Sequence, residues 1–195
     1  MDTFERGNAV TPLLRHLPNF LTALRLFAAP FTAMLILDGR FGAALLIFAF
    51  AGLSDALDGY LARRLSSGSR FGVYLDPAAD KLLMLASFVT LTMVGAVPLW
   101  LTVLVIARDI AIVGAVAVAK LLALPLKIEP LNIGKISTVV QVGFIALVLI
   151  MHALGMAERA VVLAAAVATA AVTVASWAGY AQLWFRAIAL GRRTA

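Results

Sequence analysis

The sequence predicts an all-α, polytopic membrane protein, a six-transmembrane-helix bundle with a short N-terminal amphipathic helix. Three observations carry that prediction. The 195 residues are 63% hydrophobic and 13% charged, with a mean hydropathy of +1.02, far too apolar for one water-soluble domain. Six apolar runs follow one another between short turn signals; at about 20 residues per crossing they occupy roughly 120 positions, which leaves no room for a large soluble domain. Basic residues crowd into alternate connections, as the positive-inside rule requires of a multi-pass chain. Cysteine is absent, which excludes disulfides, thiolate metal sites and cysteine nucleophiles, so any metal must rest on oxygen or histidine ligands.

Residues 1–18 are polar and mixed in charge and lack the small-residue cleavage pattern of a secretory signal, so they are expected to stay as an N-terminal cytoplasmic segment. Within it Leu13, Leu14 and Leu17 recur at helical spacing beside Arg15 and His16, which suits a helix lying on the membrane surface. The membrane domain is expected over residues 19–185, with spans at 20–37, 41–62, 71–95, 98–120, 136–155 and 160–184, and a basic cytoplasmic tail over 186–195. Asp38-Gly39-Arg40, residues 65–69, Pro98 and residues 155–159 separate neighbouring spans; only 121–135, with Pro125 and Pro130, is long enough for a structured loop.

Eleven basic residues fall on one side (Arg6, Arg15, Arg63, Arg64, Arg70, Lys120, Lys127, Lys135, Arg186, Arg192, Arg193) and two, Arg40 and Arg159, on the other. Both termini and the connections after spans two and four are therefore expected in the cytoplasm, as in a multi-pass protein of an inner (cytoplasmic) membrane. The net charge of +6 calls for no nucleic acid, because a basic rim facing anionic lipid accounts for it. Trp100, Trp177 and Trp184 read as interfacial anchors, and His16 and His152 as surface and interface residues far from the acids below. The alanine-rich run 164–171 reads as a close-packing face.

Four of the ten acidic residues, Asp55, Asp58, Asp76 and Asp80, fall in one 26-residue window across the facing ends of spans two and three. Charge at membrane depth is costly and is usually functional. Asp55 and Asp58 are three apart and Asp76 and Asp80 four apart, so each pair projects from one face of its helix. Two such faces on adjacent antiparallel helices would form a four-carboxylate cup, which needs protons or cations to exist in a partly dry site. Two divalent ions offset four negative charges, and hard oxygen ligands favour Mg²⁺, Mn²⁺ or Ca²⁺ over zinc. Gly59, Ala62 and Gly72 share the acidic faces and leave room for a flat or phosphorylated ligand, while Arg63 is placed to clamp a phosphate. Pro77 marks either the first turn of span three or a freed carbonyl at Val73, according to where that helix begins.

The run Asp55-Ala56-Leu57-Asp58-Gly59-Tyr60-Leu61-Ala62-Arg63, then Gly72, Asp76 and Asp80, resembles at every fixed position the signature D-x2-D-G-x2-A-R-x8-G-x3-D-x3-D of the CDP-alcohol phosphatidyltransferases. The resemblance implies that Asp55, Asp58 and Asp76 ligate a pair of divalent metals, Mg²⁺ or Mn²⁺, and that Asp80 contacts the second metal and acts as general base on an acceptor hydroxyl. It implies that Asp55, Asp58, Gly59, Ala62, Arg63 and Gly72 bind the CDP group of CDP-diacylglycerol, and that the protein is a homodimer in membrane lipid. Pro18-Asn19-Phe20-Leu21-Thr22 with Arg25, Leu75-Asp76-Pro77-Ala78-Ala79-Asp80-Lys81, Arg108-Asp109 and Gly134-Lys135-Ile136-Ser137-Thr138 with Gln141 are similar to the phosphatidylglycerophosphate synthase and cardiolipin synthase branch.

Arg108, inside span four, and Lys135, at the start of span five, are the candidates for binding a phosphate-bearing acceptor alcohol. For Arg108 the competing reading is a pair with Asp109, and for Lys135 a positive-inside anchor. Such a pocket suits glycerol 3-phosphate, which is preferred, and also phosphatidylglycerol, the acceptor of a cardiolipin synthase. A small ion transporter would explain buried acids without catalysis but leaves Gly59, Ala62, Arg63 and Gly72 without a role. An intramembrane prenyltransferase usually needs more spans than 195 residues supply.

Overall fold

The computed structural model describes the backbone of residues 12–65, 72–121 and 132–191, and within them the side chains of 24–54, 81–115, 118, 121 and 133–182. Six helices make up the described residues: α1 (Pro12–Leu37), α2 (Phe41–Leu65), α3 (Gly72–Met93), α4 (Leu99–Leu121), α5 (Asn132–Ala153) and α6 (Arg159–Gly191). Each matches one expected span, with three boundary corrections. The N-terminal amphipathic stretch is not a separate element from residue 12 onward: α1 runs unbroken through it. Pro12 occupies the first helical position, where a missing N–H is harmless, and Pro18 deprives only the Leu14 carbonyl of its bond. Helix α5 starts at Asn132 and so takes Lys135 into its first turn. Helix α6 continues past the expected start of the tail to Gly191, because no helix breaker intervenes before that glycine.

Three hairpins share one construction. After α1 the chain turns at Gly39, whose φ of +72° belongs to the left-handed region that side chains resist; the Gly39 N–H bonds the Ile36 carbonyl and the Arg40 N–H bonds Leu35, a Schellman-type helix stop. Gly95 after α3 and Gly155 after α5 repeat it. All three tight turns therefore lie at one end of the bundle. The C-termini of α2 and α4 and the N-termini of α3 and α5 lie at the other.

Helix α1 packs along both α2 and α3, α2 along α5, α5 along α6, and α4 along α6 and more sparingly along α3. The apolar core sits in the hairpin half, where Ile36, Phe48, Phe88, Leu91, Leu101 and Leu149 are buried and the Phe88 and Phe144 rings stack across α3 and α5 with centroids 6.1 Å apart. His152 lies at this end as expected, its Nδ1 2.8 Å from the Val148 carbonyl and its ring against Phe41.

The exposed surface is more apolar than that of a water-soluble bundle, and charged and amide groups are buried. Leu46 is 72% exposed, whereas Arg108 is 4% exposed and Gln141 fully buried. A largely apolar exterior with polar groups such as Arg108 and Gln141 buried beside the apolar core suits hydrocarbon as the surrounding medium. By length and apolarity two helical stretches among the described residues can cross a membrane, Ile133–Ala153 and Arg159–Gln182; the apolar stretches Leu24–Leu37, Phe41–Ser54 and Lys81–Met93 are shorter.

Candidate active site

Helix α2 carries Asp55, Asp58, Gly59, Ala62 and Arg63 in its last eleven residues, and α3 carries Gly72, Asp76 and Asp80 in its first nine. All eight therefore lie in regular helix at the end opposite the glycine turns. By helix rise Asp55 and Asp58 stand about 15 and 10 Å from the C-terminus of α2, and Asp76 and Asp80 about 6 and 12 Å from the N-terminus of α3, so all four lie within about 15 Å of those helix ends. The side chains of all eight lie outside the described residues. The expected pairing of α2 with α3 takes a different form: the element that packs extensively on both is α1, which stands as their common neighbour. Because α3 already begins at Gly72, Pro77 lies inside the helix, and the Val73 carbonyl loses its helical N–H one turn from Asp76.

The donor set fits hard divalent cations in kind, four carboxylates in two helical pairs. Among the described residues no group of three or more His, Asp or Glu is placed to hold a metal.

Beside the acids, α1 and α2 enclose an open groove of about 540 Å³. Leu24, Phe27, Phe31, Leu46 and Phe50 make it apolar, and its described lining includes Ser54, the residue before Asp55. Arg25, 1% exposed, also lines it.

The second polar region lies between α4, α5 and α6. Arg108 Nη1 donates to Asp109 Oδ1 at 2.8 Å and Nη2 to Ser176 Oγ at 2.9 Å, and the guanidinium lies 5.9 Å from the Tyr180 ring centroid. The pairing with Asp109 is thus present, although neighbours on a helix point about 100° apart; the length of the arginine stem bridges the difference. Asp109 also accepts from Lys81 Nζ of α3. On α5, Gln141 Nε2 donates to Thr173 Oγ1 at 3.1 Å and to Ser137 Oγ at 3.4 Å.

Lys135 is exposed in the first turn of α5. Its neighbour Gly134 lies so close to Tyr180 that an added Cβ would be 2.7 Å from the tyrosine oxygen. Tyr180 therefore lies between Arg108, which stands over its ring, and Gly134, the residue before Lys135, which its hydroxyl approaches. Arg108 is turned toward Asp109, Ser176 and Tyr180.

The sequence gives the Arg108–Asp109 pair as a competing reading, but not the bond from Lys81 to Asp109 or the parts of Ser176, Thr173 and Tyr180. A signal was present: Thr169, Thr173, Ser176 and Tyr180 recur at spacings of four, three and four, one face of a helix, in a span read for its alanines.

The CDP-alcohol phosphatidyltransferase family model matches residues 15–177. A probable cardiolipin synthase (CMP-forming) of Drosophila melanogaster is 37% identical over 73% of the chain and 48% of its own length. The cardiolipin synthase (CMP-forming) of Homo sapiens is 35% identical over 72% of the chain and 53% of its own. A probable phosphatidylglycerophosphate synthase of Mycobacterium tuberculosis is 36% identical over 69% of the chain and 66% of its own. The chain thus spans about half the length of the first two relatives. With the aspartate signature complete on two helices and the match running from α1 into α6, the chain belongs to the CDP-alcohol phosphatidyltransferase family.

Proposed function

We propose that the protein is an integral-membrane transferase that moves the phosphatidyl group of CDP-diacylglycerol to an acceptor alcohol and releases CMP. The observation that carries this reading is the helical placement of the aspartate signature, with both acid-bearing helices packed on α1 and an apolar groove between α1 and α2 whose described lining includes Ser54, the residue before Asp55. The groove suits an acyl chain and so places the lipid's diphosphate beside the acids.

Asp55, Asp58, Asp76 and Asp80 would hold two divalent ions, Mg²⁺ or Mn²⁺. When bound, the ions supply charge neutralisation at the diphosphate and at departing CMP. Gly59, Ala62 and Gly72 leave space for the CDP group, and Arg63 pairs with its phosphates. The acceptor oxygen attacks the lipid-side phosphorus as the bond to CMP breaks, and Asp80 takes the acceptor's hydroxyl proton. Six crossings, with both termini and the acids cytoplasmic in an inner membrane, agree with the charge alternation and with glycine turns at the opposite end. A homodimer belongs to the same family-based reading.

Two acceptors follow from two observations. The names of two of the relatives, both cardiolipin synthases, favour phosphatidylglycerol as the acceptor. Glycerol 3-phosphate, the preference of the sequence reading, is favoured by the relative named phosphatidylglycerophosphate synthase. Purified protein with CDP-diacylglycerol and Mg²⁺ or Mn²⁺ is offered each acceptor in turn. CMP release with one of them, abolished by EDTA, is expected; no CMP with any acceptor, or metal flux across liposomes without CMP, contradicts the reading.

A further inference from the structure

We propose that Asp109 is a positioning residue: through its two carboxylate oxygens it ties Lys81 of α3 to Arg108 of α4, and so sets where α3 holds Asp80 relative to α4 and α6. This rests on the phosphatidyl-transfer reading for Asp80.

Among the described residues two side-chain bonds join α3 to α4. One is at the turn, where the Thr92 and Thr102 hydroxyls lie 2.6 Å apart. The other is the Lys81–Asp109 ion pair, about 16 Å farther along α3. Packing between these helices is otherwise sparse, while α3 is held along α1, so the ion pair is the polar tie, among the described residues, that limits how far the acid-bearing half of α3 splays from α4. The connection does not stop at Asp109: its other oxygen holds Arg108, which is anchored on Ser176 of α6. A path of charge-assisted bonds thus runs from α3 through α4 to α6.

Lys81 follows Asp80 directly, so their Cα atoms are about 3.8 Å apart in a rigid helix. A displacement of Lys81 is a displacement of Asp80. Without the carboxylate, two cations face each other, one of them 5% exposed, and repulsion drives α3 away from α4. Proton transfer and in-line attack tolerate little misplacement, about 100-fold in rate for about 1 Å.

The test uses Asp109→Asn, Asp109→Glu, Lys81→Gln and Lys81→Arg. Asp109→Asn and Lys81→Gln are expected to lower kcat about 10- to 100-fold with the KM for CDP-diacylglycerol little changed, while Asp109→Glu and Lys81→Arg recover much of the loss. The chain has no cysteine, so spin labels at Leu82→Cys and Ile110→Cys, both outward-facing, report the α3–α4 separation independently of activity. That distance is expected to lengthen or broaden in Asp109→Asn and Lys81→Gln. Lys81 is 43% exposed, so Lys81→Gln tests the tie if Asp109→Asn does not fold. An unchanged α3–α4 distance, or a kcat within twofold of wild type in both variants, overturns the proposal. If the unsubstituted protein releases no CMP, the transfer reading fails, and the labels still decide the tie.

Discussion

The two halves of this bundle handle buried polarity in opposite ways. In the hairpin half, buried hydroxyls are mostly satisfied on their own helix: Ser87 bonds the Leu83 carbonyl, Thr90 that of Ala86, and Thr169 that of Ala165. The contacts between helices there are chiefly apolar, and Thr92–Thr102 is a polar crossing at a turn. In the acid half, polar groups reach across helices: Lys81 to Asp109, Arg108 to Ser176, Gln141 to Thr173. Self-satisfied hydroxyls add no constraint between helices, whereas cross-helix bonds in a dry interior specify position and are costly to leave incomplete. The hairpin half is thus built to hold the helices together, and the acid half to hold side chains in place.

If that division is right, substitutions in the two halves separate activity from stability. The largest effect is expected for Asp80→Asn, which removes the proton acceptor: turnover falls about 10²- to 10⁴-fold or more while CDP-lipid binding remains measurable. Turnover equal to wild type contradicts the assigned role. Phe88→Ala in the hairpin core leaves a cavity facing Phe144 and is expected to destabilise the fold by about 3 kcal/mol, read as a lower melting temperature in detergent, with kcat per folded molecule unchanged. A loss of kcat at full stability there would break the comparison. Arg108→Met is intermediate. It strips Ser176 and one oxygen of Asp109 of a donor, although Asp109 keeps Lys81, and is expected to cost about 2 kcal/mol together with a loss of turnover. Smallest is Gly39→Ala, whose left-handed backbone costs a side chain about 1 kcal/mol with no change in kinetics.

Much of this arrangement is legible in the sequence because membrane helices announce themselves by local rules. Apolar runs, Gly39, Gly95 and Gly155 at the stops, and the spacing of Asp55, Asp58, Asp76 and Asp80 depend on neighbours within a turn or two. Boundaries were less legible where the chain has no breaker, as from residue 184 to Gly191, or where a breaker sits harmlessly in a first turn, as Pro12 does. Pairings between distant elements were least legible. Nothing local shows that Asp109 must serve Lys81, 28 residues away, or that Ser176, 68 residues from Arg108, caps its guanidinium. For Arg108 one helix viewed alone leaves a phosphate ligand and a pair with Asp109 both open; the structure shows that pair and adds Ser176 of α6. The alanines of 164–171 drew attention to packing and away from the Thr169, Thr173, Ser176 and Tyr180 face that carries the polar contacts.

The central claim is that acids from α2 and α3 act as one cation site, and Mn²⁺ binding tests it most directly. Titration of detergent-solubilised protein, followed by the EPR signal of free Mn²⁺, is predicted to give two ions per chain in the unsubstituted protein. It is also predicted to show a loss of binding in both Asp58→Asn on α2 and Asp76→Asn on α3. Two ions still held with full affinity after either substitution would mean that the two helices do not share a site, and would contradict the account.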